Sequence, residues 1–292
     1  MGLGDIVMAH TLTPLRFPGG KTKLYSLVKA VIHENSLAGC TYVEPFSGGA
    51  GLAIKLLLLG DVSQIHINDI DPAIYSIWHC VLNNSEDLID FVNNVPLTIE
   101  EWKYQQSIYS LRDCEDAPDL ITLGKASLYM NRTNRSGIMS GGVIGGMNQD
   151  GLYRIDARFN RTTLVNKITA IYEKRKCISL TNQDAKALIK TTLPLIKDSF
   201  TYFDPPYVNK GPSLYQNAFS ESDHRELSEA IKSYKGRWIV TYDRCELIEQ
   251  LYEDYISEIT TISYSAGSTK TGEEIIIYGN CSPVSKALQQ TA

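Results

Sequence analysis

The residues best suited to chemistry in this sequence are the tetrapeptide Asp204-Pro-Pro-Tyr207. It follows residues 200–203, a run of aromatic and β-branched side chains that predicts the end of a buried strand. Two consecutive prolines have no N–H group and fix φ at about −65°, so the backbone leaves the sheet along a stiff path. A carboxylate, one or two carbonyl oxygens and an aromatic ring are thereby held together at the carboxyl end of a strand, where open α/β sheets bind ligands.

The same tetrapeptide also has an interpretation that needs no ligand. An aspartate before a proline is the ordinary sequence of a helix N-cap followed by proline at the first helical position. A motif this short does not decide between a helix start and an active site. The remaining sequence has to favour one of them.

A glycine-rich turn is the second candidate site. Tyr42-Val43 opens a predicted strand that ends at Glu44-Pro45-Phe46, and residues 47–51 (Ser-Gly-Gly-Ala-Gly) form the turn before a helix. Glycines there let a ligand approach the backbone closely, although each one alone also suits a packing turn. Asp69, eighteen residues beyond Gly51, ends the next strand, where a carboxylate can hold a pair of ribose hydroxyls. The turn and the acid, in this order, predict a cofactor that contains a nucleoside.

The elements that position these residues alternate between strand and helix on both sides of a different central part. Residues 1–82 read as the front half of a doubly wound nucleotide-binding sheet. From residue 178 to 292 the alternation resumes, carries Asp204-Pro-Pro-Tyr207 and ends in two strands, at 256–264 and 274–278. Residues 83–177 contain helical patterns and a stretch rich in Gly, Ser and Asn, and we predict an inserted, mainly helical domain.

The insert is basic although the chain is acidic. Residues 125–176 carry ten Lys or Arg and three Asp or Glu, a local charge of +7, whereas the 292-residue chain has a net charge of −5. Such segregation is typical of a phosphate-binding face on an acidic body and favours nucleic acid as a partner. For the last part of the window (173–176), a solvated helix face is the preferred explanation.

Composition argues against several other classes of protein. The six cysteines include no Cys-x-x-Cys pair and the five histidines are scattered, so neither a zinc site nor a disulfide framework is predicted. The longest aliphatic run (56–59) is far too short to cross a membrane, and the first residues lack the pattern of a secretory signal. We expect a cytoplasmic protein, a monomer or weak dimer, that uses no metal and no membrane.

Four motifs in order resemble those of the Dam-like DNA adenine N6-methyltransferases of alpha-type motif order. They are Arg16-Phe-Pro-Gly-Gly-Lys21, Glu44-Pro-Phe-Ser-Gly-Gly-Ala-Gly51, Asn68-Asp69 and Asp204-Pro-Pro-Tyr207. The resemblance covers both catalytic parts and, more loosely, the insert. It implies an S-adenosylmethionine-dependent methyltransferase with a Rossmann-like sheet and an inserted target-recognition domain that binds double-stranded DNA.

The resemblance also implies which residues contact the cofactor, S-adenosyl-L-methionine. They are Phe17, Lys21, Glu44, Phe46, Gly48, Gly49, Gly51, Asp69, Asp184 and Asp204. Among them, Phe46 and the glycines would line its methionine end, Asp69 would hold the ribose, and Asp184 would lie near the adenine.

The catalytic motif implied by the resemblance is Asp204, Pro205, Pro206 and Tyr207. The lone pair of adenine N6 is delocalised into the ring, so the amine is a poor nucleophile. Hydrogen bonds from its two N–H groups to the Asp204 carboxylate and the Pro205 carbonyl favour a pyramidal nitrogen with its lone pair aimed at the sulfonium methyl. Tyr207 would stack on the flipped base; flipping costs a few kcal/mol, and one stack recovers about 1–3 kcal/mol.

Target recognition is implied for the basic insert, where residues 131–137 and 153–161 look like the Asn-Arg and Phe-Asn elements of the family. Candidate DNA contacts are Arg132, Asn134, Arg135, Arg154, Arg158, Asn160 and Arg161. Arg can read guanine and Asn can read adenine, whereas phosphate contact, which carries no sequence information, is the alternative for most of these arginines. The glycine-rich segment 140–146 is longer than in the GATC-methylating members, so we predict no recognition sequence.

Two other functions remain open on the sequence alone. The catalytic tetrapeptide also serves enzymes that methylate RNA or a protein amide, although the basic insert favours DNA. A non-catalytic DNA-binding module with the same fold is the third hypothesis, although all motif residues are present. The leading hypothesis is a site-specific DNA adenine-N6 methyltransferase that works by direct transfer.

Overall fold

The computed structural model of the protein describes residues 11–17, 21–209, 219–266 and 268–284. Seven strands in this part form one sheet: β1 (Thr41–Glu44), β2 (Gln64–Asn68), β3 (Ile178–Thr181), β4 (Ser199–Phe203), β5 (Arg237–Asp243), β6 (Ile256–Ala266) and β7 (Ser268–Gly279). Their order across the sheet is β3-β2-β1-β4-β5-β7-β6. Neighbouring strands are parallel, except that β7 is antiparallel to both β5 and β6.

The α-helices of the described residues follow the alternation that the sequence predicts. In chain order they are α1 (Tyr25–Glu34), α2 (Gly51–Leu58), α3 (Pro72–Asn83), α4 (Ser85–Asn94), α5 (Ile99–Ser110), α6 (Leu120–Thr133), α7 (Arg161–Glu173), α8 (Ala185–Thr191), α9 (Glu221–Ser233) and α10 (Glu246–Leu251). A short 3-10 helix, Lys21–Leu24, leads into α1. Within the described ranges, none of these helices has the length and apolar character needed to span a membrane.

Alternating strand residues separate two apolar layers. Phe200 of β4 belongs to a core that includes side chains of α1, α2 and α3, whereas Phe203 belongs to a second core with side chains of α8, α9 and α10. Tyr42 and Val43 of β1 divide between the two cores in the same way. Successive strand residues point to opposite faces of a sheet, so helices cover both faces. The predicted doubly wound α/β fold is confirmed.

The direction in which strands are added reverses at β1. From β1 to β3 the chain moves toward one edge, and it then returns to β4 on the other side of β1. Doubly wound sheets bind ligands at such a reversal, outside the carboxyl ends of the strands. Val43 is paired with Thr201, so the glycine turn after β1 and the Asp-Pro-Pro-Tyr segment after β4 lie at the same edge.

The insert packs directly on the front half of the chain. α6 crosses α3 so closely that a Cβ on Gly124 would lie 2.5 Å from the carbonyl oxygen of Ser76. Tyr129 of α6 is fully buried in the same core as Trp78 of α3. The domain divisions after residues 82 and 177 stay predictions, but the described residues on either side of the first one share a hydrophobic core.

Candidate active site

β4 carries Asp204 to the edge of the sheet where the strand order reverses. All of β4 is buried, and the side chain of Asp204 keeps 21% of its surface exposed. Its Oδ1 atom accepts a hydrogen bond from the Thr241 hydroxyl at 3.2 Å and lies 3.3 Å from the ammonium of Lys21. Thr241 is itself hydrogen-bonded to the Tyr202 hydroxyl at 2.8 Å. No described residue donates a hydrogen bond to Oδ2, so among these contacts only Oδ1 is fixed.

Lys21, in the segment before α1, contacts both the Asp-Pro-Pro-Tyr segment and strand β7. Its Nζ lies 3.2 Å from Oε1 of Glu274 on β7, and it also donates a hydrogen bond to the Tyr207 hydroxyl. The ammonium is 4.4 Å from the centre of the Tyr207 ring. Lys21, Asp204, Glu274 and Tyr207 therefore form one polar cluster, although Tyr207 and Glu274 lie 186 and 253 residues from Lys21 in the sequence.

The charge state of Asp204 reflects opposing effects within this cluster. Burial raises the pKa of the Asp204 carboxyl to about 6; Lys21 lowers the pKa, and the charge of Glu274 raises it. The carboxyl is therefore ionised at neutral pH, and an ionised carboxylate is the stronger hydrogen-bond acceptor.

The Asp-Pro-Pro-Tyr segment is held by an acid that the sequence did not single out. Asp243, at the end of β5, accepts hydrogen bonds from the backbone N–H groups of Val208 at 2.9 Å and Asn209 at 2.8 Å. One buried carboxylate thus fixes the backbone directly after Tyr207. The segment begins no helix in the described residues, so the N-cap interpretation is wrong.

The side chain of Tyr207 is almost fully buried, although a ring that stacks on a base needs one exposed face. Only 5% of its surface is exposed, and its ring lies 6.4 Å from that of Tyr242, with Lys21 over it. Pro205 is buried and Pro206 is half-buried. Stacking of Tyr207 on a base stays a prediction, and it requires that a neighbour move.

The glycine turn after β1 is shaped by contacts on both of its sides. Gly48 has a φ of +45°, and an added Cβ would lie 2.8 Å from the Phe17 ring, so neither the conformation nor the space suits a larger residue. The Gly48 carbonyl accepts a hydrogen bond from the Trp78 indole at 3.0 Å. The Ser47 N–H is bonded to the Asn68 carbonyl at 2.9 Å, which ties the turn to the end of β2.

Asp69 lies beside this turn, as the resemblance implies. Its two oxygens accept hydrogen bonds from the backbone N–H groups of Gly48 at 2.8 Å and Asp71 at 3.0 Å. Burial raises the pKa of Asp69 to about 7. Asp184, in contrast, is exposed and caps α8 by accepting a hydrogen bond from the Ala187 N–H at 3.1 Å.

The remaining candidate cofactor residues surround the start of α2. Glu44 accepts hydrogen bonds from the Tyr42 hydroxyl at 3.0 Å and the Ala53 N–H at 3.1 Å, and burial raises its pKa to about 8. Phe46 packs against Phe219 with ring centres 6.3 Å apart. Gly49 and Gly51 lie close to Phe17 and Thr22 respectively, whereas residues 18–20 of the first motif lie outside the described residues.

Two of the candidate DNA-contacting residues form hydrogen bonds with other residues of the insert. Asn134 is fully buried; its amide oxygen accepts a hydrogen bond from the Trp102 indole at 2.7 Å, and its amide nitrogen donates to the carbonyls of Ile138 and Met139. Arg161 donates to the carbonyls of residues 92 and 95 at the end of α4. In this structure both side chains stabilise the insert, and a base-reading role for them stays a prediction.

The other candidates are more accessible. Arg135, Arg154, Arg158 and Asn160 are exposed, and Asn160 also caps α7. Arg132 is partly buried and donates to the carbonyls of Pro14 and Arg158.

Cations are crowded where the insert meets residues 11–17. Burial, followed by the charges of Arg16 and Arg158, lowers the pKa of Arg132 to about 10. Burial, followed by the charge of Arg132, lowers the pKa of Lys167 to about 8. Among the described residues, no carboxylate forms an ion pair with these four cations. Uncompensated positive charge of this kind suits a phosphate.

The described residues contain no cluster of three or more His, Cys, Asp or Glu suited to a metal ion.

Besides Thr241, which donates a hydrogen bond to Asp204, two acids of the site were not predicted from the sequence, Asp243 and Glu274. Each is a single acid at the end of an apolar strand pattern that borders the predicted active-site edge, and that position was the available signal. The pairing of Asp243 with Glu274 across β5 and β7 brings both acids to this edge.

The chain is similar to several known methyltransferases. The chain is 23% identical to the Type II methyltransferase M.MjaIII of Methanocaldococcus jannaschii over 76% of this chain and 80% of that protein. It is 21% identical to the Type II methyltransferase M.CviBI of Paramecium bursaria Chlorella virus NC1A over 89% and 95%. A crystal structure of a precorrin-6y C5,15-methyltransferase from Geobacter metallireducens matches 86% of this chain and 87% of that one, with 11% identity and a TM-score of 0.35. The family model described as D12 class N6 adenine-specific DNA methyltransferase matches residues 17–265, and the chain belongs to this family.

Proposed function

We propose that this enzyme transfers a methyl group from S-adenosylmethionine to N6 of an adenine flipped out of duplex DNA, directly and at a specific site. The observation that carries the residue assignment is Asp204, whose Oδ1 is fixed by Lys21 and Thr241 while Oδ2 has no donor among the described residues. The order of glycine turn, insert and Asp-Pro-Pro-Tyr supports a Dam-like enzyme of alpha type. The relatives named Type II methyltransferases support a restriction–modification context.

The cofactor fits the residues at the glycine turn. The close approach of Phe17 to Gly48 and the carboxylate of Asp69 beside it make a surface where backbone N–H groups, a ring and an acid converge. Asp69 would hold ribose hydroxyls through the lone pairs that Gly48 and Asp71 leave available. When bound, S-adenosylmethionine supplies an electrophilic methyl group on a positively charged sulfur, and the two carboxylates beside Lys21, those of Asp204 and Glu274, favour a positive ligand.

Asp204 then acts on the target amine. Its Oδ2 accepts one N–H of the amine and the Pro205 carbonyl accepts the other, which orients the nitrogen lone pair toward the methyl group. As the N6–carbon bond forms and the sulfur–carbon bond breaks, positive charge develops on N6, and the ionised Asp204 stabilises it. The surplus proton leaves N6 afterwards to Asp204 or to solvent, so no strong base is needed.

DNA would lie on the basic insert. The exposed Arg135, Arg154 and Arg158 are the residues best placed to contact it, and the uncompensated Arg132 and Arg16 lie beside Arg158. These contacts would mainly position the duplex through its phosphates.

A transfer assay tests the proposal. Purified protein with labelled S-adenosylmethionine and adenine-containing duplex DNA should label the DNA, and Asp204→Ala should abolish the label. Asp254→Ala, an exposed acid outside the site, should retain it. Modification-aware sequencing of DNA from expressing cells then gives the modified base and its sequence context. Absence of transfer to any DNA, with S-adenosylmethionine binding also absent, would favour the non-catalytic module instead.

A further inference from the structure

Glu274 is a buried acid on β7, where an unpaired carboxylate would destabilise the fold. Its side chain is fully buried on β7, opposite Asp243 of β5. Like charges directly opposite each other destabilise a sheet, and a buried carboxylate needs a partner. One partner of Glu274 is Lys21, whose Nζ lies 3.2 Å from Oε1.

Each N–H donor of the Lys21 ammonium has an acceptor close to it. An ammonium has three N–H donors, and Lys21 has three acceptors around it: Oδ1 of Asp204, Oε1 of Glu274 and the Tyr207 hydroxyl. The long, flexible lysine side chain would otherwise have several positions from which to reach Asp204. With Glu274 in place, the ammonium is held on the Oδ1 side of the catalytic carboxylate.

Fixing the ammonium also fixes the carboxylate. Oδ1 of Asp204 accepts from Lys21 and Thr241, whereas no described residue donates to Oδ2. We propose that Glu274 is a positioning residue for methyl transfer: by holding Lys21 against Oδ1 of Asp204, it reserves Oδ2 for the target amine. This inference rests on the proposed function, because it assigns the amine to Asp204.

Glu274 also balances the charge that Lys21 brings. Titratable groups face Asp204 from the segment before α1, from β1, β4, β5 and β7, and from the Asp-Pro-Pro-Tyr segment: Lys21, Tyr42, Glu44, Tyr202, Tyr242, Glu274 and Tyr207. Lys21 lowers the pKa of Asp204, whereas the charge of Glu274 raises the pKa of Asp204. Loss of either charge should therefore move the ionisation of Asp204, and the two losses should move it in opposite directions.

The test compares Glu274→Gln with Glu273→Gln. Glu273 precedes Glu274 on β7, but it is exposed and paired with Arg244 at 3.0 Å, so its variant removes one charge outside the site. We expect Glu274→Gln to lower kcat by about 10- to 100-fold, the scale of a misplaced reacting group, with KM for DNA nearly unchanged. Glu273→Gln should keep the wild-type kcat.

The pH profile separates positioning from a merely structural role. The acid limb of kcat/KM, near pH 6 in the wild type if Asp204 controls it, should move to lower pH in Glu274→Gln and to higher pH in Lys21→Gln. Carbon-13 NMR titration of the Asp204 carboxyl, assigned with Asp204→Asn, should show the same opposite shifts without turnover.

The possible outcomes separate this inference from the proposed function. An active wild type whose kcat, acid limb and Asp204 titration are all unchanged in Glu274→Gln would overturn the inference alone. A wild type that methylates no DNA refutes the proposed function instead. If Glu274→Gln fails to fold, Glu274→Asp keeps the charge and shortens the side chain: a kcat reduced by tenfold or more with the acid limb retained supports the inference, and a wild-type kcat overturns it.

Discussion

Glu44→Gln should make the protein more stable at neutral pH and should remove much of its pH dependence. Glu44 lies at the carboxyl end of β1, and burial raises the pKa of its carboxyl from 4.5 to about 8. Between these two values the folded state holds a proton that the unfolded state has released, so stability falls as the pH rises through this window. Glutamine keeps an oxygen that can accept from Tyr42 and Ala53, but it cannot ionise.

The size of this effect follows from linkage. Each pH unit inside the window costs about 1.4 kcal/mol of stability, because the unfolded state binds one proton fewer. From pH 5 to pH 7 the wild type should lose about 1–3 kcal/mol of stability relative to Glu44→Gln. The lower end of this range allows for the effective dielectric of a real protein interior, which weakens the shift in pKa. Burial also raises the pKa of Asp69 to about 7 and that of Asp204 to about 6. Both carboxyls are present in both proteins, so most of their contribution cancels in the difference.

Urea unfolding at pH 5, 6 and 7 measures the difference directly, with the slope against urea checked for equality between the variants. Glu34→Gln removes an exposed carboxylate at the end of α1 and controls for the loss of one negative charge. If the stability difference between the wild type and Glu44→Gln is the same at all three pH values, the assignment of a protonated, buried Glu44 is wrong.

Three further substitutions probe the site and the insert. Asp243→Asn leaves one side-chain oxygen for the two backbone N–H groups after Tyr207. It should lower the rate of methyl transfer about 10- to 100-fold in single-turnover assays, while the affinity for S-adenosylmethionine, measured by calorimetry, stays unchanged. Gly48→Ala should weaken that affinity at least tenfold, whereas Gly60→Ala, at φ +79° with open space around it, tests backbone strain without a ring clash. Arg154→Ala should reduce the salt dependence of DNA binding by about one phosphate contact without altering the melting temperature.

The positions of Asp204 and of the glycine turn at one edge of the sheet could be predicted from the sequence because each motif is local. Asp204 and its prolines, and the glycine turn, carry their geometry within a few residues, and strand alternation places both at the carboxyl edge. The partners that fix Asp204 come from elsewhere: Thr241 lies 37 residues later in the sequence, and Glu274 belongs to a strand whose polar first half (268–273) shows no apolar alternation. The pairing of β4 with β5 brings Thr241 to Asp204, and the pairing of β5 with β7 brings Glu274 to the same edge of the sheet.

The insert was harder to interpret for the opposite reason. Asn and Arg side chains can read bases, and the same hydrogen-bonding capacity lets them satisfy buried backbone groups. Asn134 accepts from Trp102 with its amide oxygen and uses both amide hydrogens on the carbonyls of Ile138 and Met139. Arg161 supplies positive charge and donors to the last carbonyls of α4, as cations do at helix C-termini. Neither use is distinguishable from DNA contact without the three-dimensional partners.

The insert contacts a short segment that lies just before Lys21 in the sequence. Asn131 accepts the Arg16 N–H at 2.8 Å and donates to the Arg16 carbonyl at 2.7 Å, while Arg132 donates to the Pro14 carbonyl and Lys167 to that of Thr13. Three insert side chains therefore bind the backbone of residues 13–16, only five positions before Lys21.

Under the proposed function, this connection would give DNA binding on the insert a physical route to Asp204. A shift of the insert on the duplex would move residues 13–16, and Lys21 fixes the oxygen of Asp204 opposite the one assigned to the target amine. Asn131→Ala should therefore lower kcat by about tenfold while the affinity for DNA, set by exposed arginines, stays within twofold. A variant that lost DNA affinity and kept its kcat would show that recognition and catalysis are coupled elsewhere.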